Sequence, residues 1–173
     1  DWVFATDFDT CKTKYGTWGG GTGWTGQPLY VRWNKSQTDR IGRLPVATDN
    51  FGSEEIIFGS LCGKVYFLNF NTSKPSRLPV DVWNPIKGTV SLAPVYKNNL
   101  YVGQGVPKDS IFGHLVVDID KGEITKAVDR DMNAYRVWGA FDSSPIRVVQ
   151  FLFWPAEKAL FTESAYTLTI VRM

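Results

Sequence analysis

Sulfur and imidazole are scarce in this 173-residue chain, which has two cysteines, two methionines and one histidine. One histidine excludes multi-histidine metal centres and leaves no second imidazole for a relay. His114 stands at the start of an alternating strand and reads as a structural residue, because catalysis needs convergent partners that the spacing does not supply. Charge of one sign is also missing. Lysine plus arginine (19) nearly balance aspartate plus glutamate (17), giving a formal net charge of +2, and the basic residues are scattered. The basic face that marks a nucleic-acid binder is therefore lacking, and no field draws the chain to an anionic membrane. No apolar run approaches the roughly 20 residues of a membrane-crossing helix. No convincing helical period is present, and residues 129–135 are expected to form no more than a turn. The chain opens on Asp1 where Met is usual, which reads as processing, excision or a part of a longer protein.

What the chain has is aromatics and turn formers: 7 Trp, 7 Tyr and 11 Phe, with 16 Gly and 9 Pro. With 43% hydrophobic and 21% charged residues, the chain is expected to fold as one domain over 1–173 with a buried core. Short apolar runs punctuated by Gly, Asn and Pro read as many short strands joined by tight turns. Cys11 and Cys62 are compatible with a disulfide in an oxidising compartment and equally with two buried thiols, since sequence does not place them within bridging distance.

The chain also repeats itself. Thr22-Gly-Trp-Thr-Gly-Gln-Pro28, Gly88-Thr-Val-Ser-Leu-Ala-Pro94 and Gly139-Ala-Phe-Asp-Ser-Ser-Pro145 align on their prolines. A bulky apolar residue holds the third place (Trp24, Val90, Phe141) and a small polar one the fourth (Thr25, Ser91, Asp142). A second element reads Ile56-Ile-Phe-Gly-Ser60, Leu100-Tyr-Val-Gly-Gln104 and Phe151-Leu-Phe-Trp-Pro155. In the first copy the two elements stand further apart, so that copy carries an insertion over roughly residues 34–53. A third element, a Gly turn and an alternating strand, begins at Gly63 and at Gly113. Units near 18–80, 83–128 and 136–173, each holding about four strands, have the size of propeller blades.

These motifs resemble the pyrroloquinoline-quinone-like (PQQ-like) propeller repeat family. The resemblance spans roughly residues 18–155 and is strongest at Ser91-Leu-Ala-Pro94, Leu100-Tyr-Val-Gly103 and the Gly113 strand. It implies an all-β fold of four-stranded antiparallel blades. Only three to four blades are present, so the ring is expected to be incomplete or a half, and the chain a fragment or a half that pairs with another copy. The third unit departs from the pattern after Pro155, where no Gly turn follows. Quinone-using members carry adjacent cysteines, which Cys11 and Cys62 are not, so PQQ itself is not expected. The resemblance also implies an exported protein: secreted, periplasmic or on the cell surface.

In propellers, ligands bind where strand starts and adjacent loops rim the central channel. The residues expected on that rim are Thr25, Gln27, Ser91, Asp142, Ser143 and Ser144, with Trp24 and Phe141 beneath or beside them. The reading is a non-catalytic binding or scaffold module with a protein or glycan ligand. The alternatives are a carbohydrate-active enzyme, which would need two channel carboxylates about 5–9 Å apart, and a fragment with no independent function. Asp129, Asp131 and Asn133 have the opening spacing of a calcium loop, although Ala134 stands where an EF-hand needs Gly; a solvated loop is the default and calcium the alternative. Asp118 and Asp120 are expected to share one strand face before a turn. Gly21-Thr-Gly-Trp-Thr-Gly26 matches a dinucleotide fingerprint, but Pro28 and a strand follow it, so no helix N-terminus is expected to meet a phosphate. Recurrence of Trp18, Trp83 and Trp138 with the units reads as packing between blades.

Overall fold

The computed structural model describes residues 10–13, 16–18, 20–22, 26–93, 98–106, 111–128, 140–148, 151–156 and 167–172. It is mainly β. A short hairpin, β1 (Cys11–Thr13) and β2 (Gly16–Trp18), precedes three antiparallel meanders. The first joins β3 (Leu29–Arg32), β4 (Glu54–Gly59), β5 (Lys64–Asn69) and β6 (Val80–Asp81) in chain order. The second joins β7 (Ser91–Leu92), β8 (Asn99–Gly103), β9 (His114–Asp118) and β10 (Glu123–Val128), again in chain order. The third has β11 (Ile146–Val148), β12 (Phe151–Ala156) and β13 (Thr167–Arg172). Among the described residues no sheet closes into a barrel.

Two-residue periodicity turns these sheets into stacked layers. Alternate side chains point to opposite faces. From the first sheet, Val31, Ile57, Val65 and Phe67 enter one core with Leu100, Val102, Leu115 and Val117 of the second. The intervening residues of the second sheet, Tyr101 and Val116, face the other way and join Ala93, Phe112 and Phe141 in a second core. β9 is buried along its whole length, which requires cover on both faces. Each fully buried aliphatic side chain here contributes about 1.5–3 kcal/mol.

The same device links each meander to the next. The amide of Ile86 donates to the Ser60 carbonyl (3.0 Å), and that of Phe141 to the Gln104 carbonyl (2.9 Å). Ser60 follows Gly59, and Gln104 follows Gly103, at the ends of β4 and β8. A methyl group on Gly59 would run into Ile86, and one on Gly103 into Phe141, so glycine is what lets the next segment cross there.

One sequence expectation is corrected. Residues 35–41 form a helix, α1 (Lys35–Ile41). Asn34 supplies the missing start signal: its side chain accepts from the Gln37 amide (2.9 Å), and the Gln37 side chain accepts from the Asn34 amide (3.2 Å). This reciprocal capping box offsets the cost of nucleating so short a helix. The helix lies within the insertion, which the Trp33 amide closes on the Ser53 carbonyl at 2.7 Å. Ile41 enters the first core, and Arg40 pairs with Asp120 beyond β9.

A buried charge pair fastens the insertion and both sheets. Arg77 grips Glu55 with two hydrogen bonds, Nε to Oε1 (3.0 Å) and a terminal nitrogen to Oε2 (2.7 Å). Trp33 Nε1 and Ser76 Oγ also donate to the Glu55 carboxylate. The other guanidinium nitrogen reaches the Ile119 carbonyl just past β9, at 3.3 Å. The guanidinium sits about 5 Å from the ring centres of Trp33, Phe51 and Phe67.

Candidate functional site

The segments that lead into the first strand of each meander lie side by side. The Gln27 amide donates to Thr89 Oγ1 (2.8 Å), and the Thr89 amide donates to Ser144 Oγ (3.2 Å). Lys87 Nζ pairs with Asp142 Oδ2 at 3.1 Å, both side chains part-exposed. The other Asp142 oxygen, Oδ1, turns inward against Gly105. Close approach of the second and third backbones depends on Gly88, where a Cβ would stand 2.5 Å from the Asp142 carbonyl oxygen and 2.9 Å from that of Ser143, and that of the first and second on Gly26, where a Cβ would stand 2.8 Å from the Gly88 carbonyl oxygen.

Counting back from the strand starts, Leu29, Ser91 and Ile146, gives the true correspondence. Five residues before each stand Trp24, Ile86 and Phe141. Four before are Thr25, Lys87 and Asp142, and two before are Gln27, Thr89 and Ser144. The pairing register agrees for the first two copies, since Leu29 lies opposite Ile57 as Ser91 lies opposite Tyr101, while in the third Ile146 lies opposite Phe153, one residue beyond the aligned Leu152. The proline alignment therefore slips by four residues in the second copy. β7 ends at Leu92, before Pro94, whereas β3 and β11 begin directly after Pro28 and Pro145.

Of the expected rim residues, Gln27, Asp142, Ser143 and Ser144 stand in this row, and Phe141 is packed beneath it in the second core. Ser91 does not: it is the first residue of β7, paired with Tyr101. Thr25 and Trp24 lie outside the described residues. Sequence reasoning missed Lys87 and Thr89, which fill the second copy's places. The signal that finds them is distance from the strand start.

The calcium candidate, Asp129, Asp131 and Asn133, lies outside the described residues, as does Trp138. Among the described residues no three His, Cys, Asp or Glu side chains gather to hold a metal. β9 ends at Asp118, whose side chain accepts from the amides of Asp120 (2.9 Å) and Lys121 (3.2 Å). Asp118 and Asp120 are thus a turn cap and its neighbour rather than two residues of one strand face.

His114 is buried at 1% exposure beside Phe141. Burial lowers its pKa from 6.5 to about 3. The unfolded chain then binds a proton near pH 6.5 that the folded chain refuses, so stability is complete above about pH 6.5 and falls with acidification. Each pH unit between about 6.5 and 3 should cost about 1.4 kcal/mol. Urea midpoints measured from pH 7 to pH 4 should fall on this account, and His114→Gln should flatten the slope. An equal slope in the variant would remove His114 as the cause.

Cys11 and Cys62 form a disulfide with a Cα–Cα distance of 5.4 Å. It pins the β1–β2 hairpin to the turn between β4 and β5, where the Leu61 amide also donates to the Gly21 carbonyl (2.7 Å). Among the described residues no helix is long and apolar enough to cross a membrane. Comparison with protein-family models, with curated proteins and with solved structures finds no match to this chain.

Proposed function

We propose that the chain is part of a PQQ-like β-propeller and acts, exported from the cell, as a non-catalytic binding module whose lead-in row takes a glycan. The observation that carries this reading is the row itself. Gln27, Thr89 and Ser144 come from three separate repeats, yet they touch in one chain of hydrogen bonds. Hydroxyl and amide groups beside a part-exposed Lys87–Asp142 pair offer donors and acceptors suited to a hydroxyl-rich ligand. The disulfide agrees with an oxidising compartment. Hydrolysis by two carboxylates is disfavoured, because Asp142 is the one carboxylate of the row among the described residues and it is already held by Lys87.

A glycan array probed with the purified chain, followed by calorimetry on the strongest hit, tests the reading. Lys87→Ala/Asp142→Ala removes both charges together and leaves none stranded. It should weaken that binding at least about tenfold, the loss of roughly 1.4 kcal/mol. Unchanged affinity in the double variant, or no glycan bound by the native chain, counts against the proposal.

A further inference from the structure

The turn between β6 and the second lead-in segment holds an aromatic residue in a backbone shape that aromatic residues rarely take. Among the described residues other than glycine, Ser73 and Trp83 have a positive φ, and that of Trp83 is 63°. A Cβ is crowded there, and glycine or asparagine is the usual occupant. The Asn84 amide closes the turn on the Val82 carbonyl (2.7 Å), and the Trp83 amide donates to Asp81 Oδ1 (2.8 Å). Two fully buried amide side chains anchor it. Gln104 Nε2 donates to the Val82 carbonyl (2.7 Å), and Asn84 Nδ2 donates to Gln104 Oε1 (3.2 Å). Gly63 leaves room for it, since a Cβ there would stand 2.5 Å from the Trp83 carbonyl carbon. Backbone strain persists where the surroundings over-determine it, and it gathers at ligand sites.

The turn presents the ring where a core would bury it: Trp83 belongs to neither core and is 37% exposed. Lys87 of the lead-in row is four positions further on, so the two backbones stand no more than about 14 Å apart. The ground between them is continuous. The Gly105 amide donates to the Pro85 carbonyl (2.8 Å), and Gly105 also lies against Asp142 Oδ1 and the Lys87 side chain. An exposed indole beside a polar cluster suits a sugar. Hydroxyls bond to the polar groups, and the C–H face of a pyranose meets the electron-rich face of the ring.

We infer that Trp83 is the stacking platform of the glycan site, taking the C–H face of one pyranose ring while Lys87 and Asp142 bind hydroxyls of a neighbouring sugar. The site is then one for an oligosaccharide rather than a single sugar. The inference rests on the glycan reading above and adds the aromatic ring to it. The left-handed turn fixes the direction of the indole before binding, so less freedom is lost when a sugar stacks on it.

Calorimetry and tryptophan fluorescence with the strongest oligosaccharide of the glycan array test it. Trp83→Gly suits the positive φ and removes the ring. It should keep the native circular-dichroism spectrum and weaken binding at least about tenfold. The constituent monosaccharide should bind the native chain more weakly than the oligosaccharide by a similar factor. Trp83→Phe keeps a ring and should retain most of the affinity, but the change in tryptophan emission that binding causes in the native chain should be lost. A native emission that does not move on binding, or a change that persists in Trp83→Phe, overturns the inference, since no sugar then lies on this indole. Native affinity in a folded Trp83→Gly overturns it as well. The two readings fail separately. Native affinity in Lys87→Ala/Asp142→Ala with weakened binding in Trp83→Gly would remove the row and leave the platform, and the reverse would remove the platform alone. A native chain that binds no glycan of the array overturns both.

Discussion

Arg77→Ala should destabilise the fold by about 3–5 kcal/mol, the usual cost of stranding one member of a buried ion pair. Glu55 is fully buried and Arg77 is 2% exposed. With the guanidinium gone, the Glu55 carboxylate keeps only the Trp33 and Ser76 donors and no countercharge. The Ile119 carbonyl loses its bond from Arg77, and three aromatic rings lose the cation they surround. A domain of this size has about 5–15 kcal/mol in total, so the loss should show as a large fall in the urea midpoint. The pair Glu55→Gln/Arg77→Met is the control. It removes both charges and should cost clearly less than Arg77→Ala, because no ion is left unpaired. Equal losses would mean that packing, not charge, is what this cluster contributes.

Removing the disulfide should have an effect of similar size. Cys11 and Cys62 are 51 positions apart, and closing a loop of that length removes about 4 kcal/mol of denatured-state entropy in the chain model. The hairpin it holds has three paired positions per strand and would be marginal alone. Cys11→Ser/Cys62→Ser should therefore lower the unfolding midpoint to that of the reduced native chain, and reductant should not move it further. A variant as stable as the oxidised protein would mean that the hairpin docks without its covalent tie.

Much of the fold was legible from local pattern. The second and third elements of the repeat fall on β4, β5, β8 and β9, because Gly turns and strict alternation mark short strands directly. The insertion was placed from spacing alone, yet its helix was not seen. Seven residues give too little periodicity to register, and the signal lay in the Asn34–Gln37 cap rather than in hydrophobicity. The site was half legible for a related reason. Prolines made the clearest anchors, but proline marks a place where the ladder is absent, and in the second repeat that place lies beyond β7 rather than before it. Lys87 and Thr89 were hidden by that slip. The disulfide was illegible because it depends on where a hairpin folds back over the turn after β4, which no local pattern encodes.

Successive meanders set their lead-in segments side by side, and a zero-length cross-link reads that arrangement most directly. A carbodiimide joins an amine to a carboxylate only when the two already touch. Lys87 Nζ and Asp142 Oδ2 are 3.1 Å apart and 55 positions apart in the chain. Digestion and mass spectrometry of the treated monomer should recover a Lys87–Asp142 amide as the main product of either residue, lighter than its parts by one water. Recovery of Lys87 joined only to other carboxylates, with Asp142 unlinked, would contradict the stacking of the second and third meanders and the row built on it.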